Sequence, residues 1–185
     1  CAGITTFSPL KRFARPGDRV GVVGIGGLGH LALQFAKHMG LAEVVAISCS
    51  PAKECEAIGF GANKFVCLEY ADSVLGTLDL ILNTASDHAP LDAYLSLLKP
   101  RGRLVNLGLP SRSSKSQVYM HSMVPSERTI AGSYLGPRDD YAEMLAFAVA
   151  HGVRPQIQLF PMSRVNEALD SVRSGAVRYR AVLQM

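Results

Sequence analysis

Residues Gly24-Ile25-Gly26-Gly27-Leu28-Gly29 form a G-x-G-x-x-G run. The chemistry open to such a run is contact between main chain and phosphate. The first glycine permits a tight turn, the second lets backbone approach a pyrophosphate, and the third lets a helix pack close to a strand. A helix that starts there presents unpaired N–H groups and a partial positive charge to the anion. The run alone also fits a plain strand-to-helix turn, so its flanks matter. An apolar stretch, Arg19 to Gly24, precedes it, and Leu28, Leu31, Ala32, Phe35, Ala36 and Met39 recur behind it at helical spacing. Gly24, Gly26, Gly27, Leu28 and Gly29 are therefore candidate dinucleotide-binding residues.

Selectivity between dinucleotides is read about 20 residues further on, where an acid at the end of the second strand would hold the ribose hydroxyls of NAD. Here the strand Glu43–Ile47 is followed by Ser48, Cys49 and Ser50, with Lys53 just beyond. Serine hydroxyls and a lysine suit the 2′-phosphate of NADP, which an Asp would repel. A charge-assisted hydrogen bond contributes about 1.5–3 kcal/mol, or one to two powers of ten in preference. Ser48, Cys49, Ser50 and Lys53 are thus read as the NADP-selecting group, a solvated lysine at a helix start being the alternative for Lys53. The missing acid also counts against a methyltransferase, which commonly places one there for its own cofactor.

The elements that must position these residues follow from the hydrophobic pattern. Strands are expected at Arg19–Gly24, Glu43–Ile47, Lys64–Leu68, Leu78–Leu82, Arg103–Leu107 and Arg128–Tyr134. Helices are expected from Leu28 to Gly40, from Pro51 to Ile58 and from Leu91 to Leu98. Short apolar strands separated by amphipathic helices imply right-handed crossovers and an α/β, doubly wound parallel sheet of Rossmann type. After Gly136 the texture changes: a helix at Asp139–Ala150, a strand at Ile157–Phe160, a helix capped by Ser163, and a last strand at Val177–Leu183. Ser111–Ser116 reads as a polar surface loop.

Composition bounds the function. The chain has 185 residues, 48% hydrophobic and 18% charged, enough for one domain core without staples. Its formal net charge of +4 suits an anionic ligand, but the arginines are scattered, which argues against nucleic acid. The cysteines at positions 1, 49, 55 and 67 form no C-x-x-C pair, so a zinc ribbon is excluded and reduced thiols are expected. None of His30, His38, His88, His121 and His151 has ligand spacing to another; His30 is read as a loop-edge group and His38 as a surface group. Val20–Ala36 is too interrupted by glycine and polar residues to span a membrane, and neither an initiator Met nor a secretory signal is visible. A soluble, cytoplasmic protein is expected, and the sequence reads as part of a longer chain.

Several segments in order carry a more specific resemblance: Cys1–Pro9, Pro16–His30, Gly132–Gly136, Pro161–Leu169 and Arg178–Arg180. Together they resemble the C-terminal half of the zinc-dependent medium-chain alcohol dehydrogenases, and within that family the cinnamyl alcohol dehydrogenase-like subgroup. The resemblance implies an NADP-binding domain with a linker helix over residues 1–136, and a return segment into the catalytic, substrate-binding domain over 137–185. It implies that Cys1 is a ligand of the catalytic zinc, the free thiol being its reading on residues alone. Thr5, Gly108 and Leu109, and Ser133, Tyr134 and Leu135 are implied to lie against the nicotinamide end of the cofactor. The family's other zinc ligands and its structural zinc site have no counterpart in this sequence.

The implied activity is hydride transfer between NADP(H) and a small alcohol or aldehyde with zinc assistance, in a homodimer of the complete enzyme. A zinc-independent medium-chain reductase and a non-catalytic dinucleotide-binding fragment are the alternatives. The resemblance further implies that the apolar residues Val165, Leu169 and Val172 lack their usual packing partner here, so that the chain self-associates or holds its tail loosely.

Overall fold

Six strands lie side by side in a single parallel sheet: β1 (Arg19–Val23), β2 (Glu43–Ser48), β3 (Lys64–Cys67), β4 (Leu78–Asn83), β5 (Leu98–Asn106) and β6 (Thr129–Gly132). The computed structural model from which this is read describes residues 1–85 and 90–185. The spatial order is β3-β2-β1-β4-β5-β6, so the chain reverses direction across the sheet between β1 and β4. That reversal is the topological switch point of a doubly wound fold, where ligands sit beyond the carboxyl ends of the strands. β1 occupies the middle, with Val20 opposite both Val44 of β2 and Leu80 of β4.

Helices cover both faces, which is why the central strands are apolar throughout. On one face α1 (Ala2–Phe13) and α2 (Gly29–Lys37) pack Phe7, Leu10, Leu31 and Phe35 against Val20, Val22, Ala46 and Leu82. On the other, α4 (Leu91–Leu97) packs Leu91, Tyr94 and Leu95 against Val45, Ile47, Ile81 and Leu104. Short helices, α3 (Glu54–Gly59) and α5 (Met120–Met123), fill connections. The chain then leaves the sheet through α6 (Arg138–His151), β7 (Ile157–Pro161), α7 (Val165–Arg173) and β8 (Arg180–Gln184). β7 and β8 pair with each other in parallel and form their own two-stranded sheet. α6 is tied to α1: buried Asp140 accepts hydrogen bonds from Ser8 (2.9 Å) and Lys11 (2.9 Å), and Phe147 meets Phe7.

All six expected strands of the main sheet are present, with shifted ends. β5 begins at Leu98, not Arg103, because its pairing with β4 slips between Leu98 and Arg103, where Arg101 takes a left-handed φ of 64°. β6 ends at Gly132; Ser133 and Tyr134 lie beyond it, and Leu135 turns with φ 54°. Ser163 does not cap α7. It lies inside a 3-10 turn (Met162–Arg164) that leads into the helix, and no side chain caps the start. Of the three apolar residues expected to lack a partner on α7, Leu169 and Val172 are exposed and Val165 is half-buried, while Ala168 is buried.

Candidate functional site

β1 ends at Val23, and Gly24 turns the chain toward α2 with φ 83°, a conformation that L side chains rarely adopt. Its N–H donates to the carbonyl of Ile47, and the Thr84 hydroxyl, from the end of β4, lies 2.8 Å from the carbonyls of both Val23 and Gly24. Gly29 passes so close to the turn that a Cβ there would stand 1.9 Å from the Gly24 oxygen. Gly26 is the opposite case: a Cβ there would meet nothing within 4 Å. The three glycines therefore divide the roles expected from the sequence into turn, open approach and close packing.

Two adjoining cavities open over this loop. One, of about 340 Å³, is lined by Gly24–Leu28, Lys53, Thr84, Ala85 and Arg180. The other, of about 420 Å³, shares Gly26, Gly27, Lys53 and Arg180 and continues along Arg178 and Tyr179. Three cationic side chains thus meet the glycine loop at the helix N-terminus. Lys53 Nζ donates to the Ile25 carbonyl at 2.7 Å. Burial pushes its ammonium below the ordinary lysine range and the Arg178 charge adds to this, with Glu56 opposing. Arg180 reaches across from β8, its Nη1 3.1 Å from where a Gly27 Cβ would be. Glu56 lies 3.5 Å from Arg178 and accepts the Tyr179 hydroxyl; burial first, then this carboxylate, raises the phenol well above its usual range.

Lys53, read from the sequence as part of the 2′-phosphate group with Ser48, Cys49 and Ser50, lies instead with Gly24, Gly26, Gly27 and Leu28 around the first cavity. Ser48 ends β2 and Cys49 and Ser50 follow it, the Ser50 N–H donating to the Ser48 hydroxyl at 3.2 Å, but the three line neither cavity. Gly108, Leu109, Ser133, Tyr134 and Leu135 sit beyond the carboxyl ends of β5 and β6, anchored on the asparagines that end β4 and β5. The Gly108 N–H donates to the Asn83 carbonyl (3.3 Å) and the Ser133 N–H to that of Asn106 (3.0 Å). Leu109 and Tyr134 are exposed, and the Ser133 hydroxyl is buried without a hydrogen-bond partner. Thr5 is buried on α1, its hydroxyl spent on the carbonyl of Cys1 at 2.9 Å. Cys1 is an exposed free thiol, and among the described residues no three His, Cys, Asp or Glu side chains gather as a metal site.

Sequence reasoning missed Arg180, Arg178, Thr84 and the placement of His30. The signal for the first two was a pair of arginines flanking a tyrosine at the head of an apolar strand. His30 stands at the edge of the glycine loop, bonded to the Gly26 carbonyl, but it is wholly buried. His38 is exposed and stacks on His151, while His88 lies outside the described residues.

A doubly wound parallel sheet with a glycine loop and basic cleft at its switch point defines a Rossmann-type dinucleotide-binding domain. The chain belongs to the zinc-binding dehydrogenase family, whose sequence model matches residues 27–150. It is 43% identical over 189 residues to a probable formaldehyde dehydrogenase of Bacillus subtilis, covering 100% of this chain and 53% of that protein. The structure of a cinnamyl alcohol dehydrogenase from Sorghum bicolor superposes with a TM-score of 0.92 at 39% identity, covering 99% of this chain and 53% of that one. The CAD of Helicobacter pylori, solved in complex with NADP(H), gives 0.89 at 32% identity, covering 100% and 53%. The chain spans about half the length of the curated relatives it matches. Among the described residues no helix is long and apolar enough to cross a membrane.

Proposed function

We propose that the chain binds NADP(H) and forms the cofactor-holding half of an alcohol dehydrogenase, with residues 1–136 as the cofactor domain and 137–185 as a segment of the substrate-binding domain. The observation that carries this is the open space over Gly26, bounded by Lys53 and Arg180 at the start of α2. A pyrophosphate there meets backbone N–H groups and the Arg180 guanidinium in one place. Bound NADP(H) supplies the hydride or accepts it. This chain's residues hold and orient it: the glycine loop and Arg180 take the pyrophosphate, and Ser48, Ser50 and Lys53 take the 2′-phosphate. Ser133, with its unpartnered hydroxyl, Leu135 and the Gly108–Leu109 backbone flank the nicotinamide. The Helicobacter pylori relative, solved with NADP(H), supports the choice of cofactor.

In this reading the substrate is a small alcohol or aldehyde and the complete enzyme a cytoplasmic homodimer. Cys1 would contribute one zinc ligand. The described residues bring no second ligand to it, so they do not by themselves fit a catalytic zinc, which needs three protein ligands and an open position. The second reading is that this chain binds dinucleotide without turning over an alcohol. Titration of the chain with NADPH, followed by nicotinamide fluorescence, tests the first claim; absence of saturable binding refutes it. Turnover of primary alcohols with NADP, with and without added zinc, separates the two readings.

A further inference from the structure

We propose that His30 is a positioning residue for the dinucleotide pyrophosphate: one buried imidazole orients the Gly26–Gly27 peptide and holds the strand that delivers Arg180. The inference rests on the NADP(H) reading above and adds to it the residue that makes the phosphate site rigid.

His30 is 0% exposed, at the first turn of α2. Its Nδ1 lies 2.9 Å from the Gly26 carbonyl oxygen and its Nε2 lies 3.3 Å from the backbone nitrogen of Gln156. A backbone N–H can only donate, so Nε2 is the acceptor and Nδ1 carries the proton that bonds Gly26. The partners fix one neutral tautomer. The Gly26 carbonyl is held a second time by the backbone N–H of His30 at 3.1 Å. In a planar trans peptide the N–H points opposite to the carbonyl. With the Gly26 oxygen drawn toward α2, the Gly27 N–H is directed out of the helix's N-terminal end, where an anion is bound.

The other ring nitrogen reaches the far end of the chain. Gln156 receives, on its own carbonyl, the N–H groups of Tyr179 (3.1 Å) and Arg180 (3.2 Å), and Arg180 lies over Gly27. A closed circuit therefore runs from Gly26 through His30, Gln156 and Arg180 back to Gly27. The Tyr179 ring stacks on the imidazole at 5.0 Å and 14°, and Phe60 meets both rings edge-on. The charged groups facing this assembly are Arg180, Arg178 over the Tyr179 ring, and, behind the Tyr179 hydroxyl, Glu56. Burial keeps the imidazole neutral. A second, separate clasp holds the same segment to α2: Gln34 donates to the Arg154 carbonyl and accepts its N–H, each at 3.0 Å. Removing the imidazole's hydrogen bonds therefore loosens the phosphate site without detaching the segment.

The test compares two ligands across three variants of the full chain. NADPH engages the pyrophosphate site; adenosine 2′-phosphate does not reach it. His30→Phe keeps an aromatic ring under Tyr179 and removes both hydrogen bonds. It should weaken NADPH by about tenfold, the weight of one to two such bonds, and leave adenosine 2′-phosphate within about twofold. His30→Asn restores a donor near the Nδ1 position and should recover part of the NADPH affinity. His30→Gln places its polar group toward Gln156 and should recover less. Unchanged NADPH affinity in His30→Phe, or an equal loss for both ligands, overturns the inference. Should His30→Phe fail to fold, the Asn and Gln variants decide by the same comparison. Absence of NADPH binding by the unsubstituted chain would instead refute the cofactor reading and this inference with it.

Discussion

Two glycines in one loop should respond to substitution in opposite ways. A Cβ at Gly29 would stand 1.9 Å from the Gly24 carbonyl oxygen, where contacts under 3.0 Å force something to move. The carbonyl must retreat by roughly 1 Å, yet the Thr84 hydroxyl holds it at 2.8 Å. Overpacking of this kind costs about 1–3 kcal/mol, and alanine's propensity gain over glycine does not offset it because Gly29 is the first residue of α2, not an interior one. Gly29→Ala should therefore lose about 1–3 kcal/mol, lowering Tm by about 2–12 °C in a chain of this size. A Cβ at Gly26 meets nothing, so Gly26→Val should melt within about 2 °C of the unsubstituted chain. Its branched side chain occupies the ground needed by the pyrophosphate, and NADPH affinity should fall at least about tenfold. Thermal melts with and without NADPH measure both effects. A Gly29→Ala chain as stable as its parent, or a Gly26→Val chain that still binds, would refute the division of roles.

Ser48→Asp should move the NAD(H) to NADP(H) affinity ratio toward NAD(H) by about tenfold or more, because an acid there takes the ribose hydroxyls and repels the 2′-phosphate; an unchanged ratio removes Ser48 from the selecting group. Arg180→Met should weaken NADPH by about tenfold while sparing adenosine 2′-phosphate, as read by competition titration. Burial lowers the His30 pKa from 6.5, opposed by the Gly26 carbonyl and helped by the Arg180 charge, so the unfolded chain takes the proton first. Its contribution to stability is complete above 6.5 and is lost as pH falls below it: urea midpoints should drop toward pH ~5, less steeply in His30→Gln. Hydrogen exchange should be faster in β7, α7 and β8, where Leu159, Leu169 and Val172 are exposed, than in β1–β5; equal protection would show that these elements are as tightly held as the sheet.

Short-range pattern carried much of this molecule. Six apolar strands, their helical spacers and the glycine run stand in the sequence because strand and helix periodicity and the φ of Gly24 are local demands on neighbouring residues. Their order also follows, since parallel strands joined by helices admit few handed arrangements. Lys53 could be placed just past the strand adjacent to β1, though its contact with the glycine loop could not.

Ends and partners were decided elsewhere. β5 starts early because it pairs with β4, and Ser163 yields the start of α7 to a 3-10 turn that a capping rule based on residue type does not foresee. Only one of the His30 partners, Gly26, is local; the other is Gln156, 126 residues away, and no sequence pattern points to it. Arg180 stood in a segment that carries the resemblance but had no role until β8 returned it to Gly27. The sequence alone determined where the backbone could turn and which faces had to be buried, for these are properties of a few consecutive residues. Which side chains close over the phosphate loop was left to the tertiary structure, because a buried hydrogen bond between distant segments forms only once packing has excluded water from both of its ends.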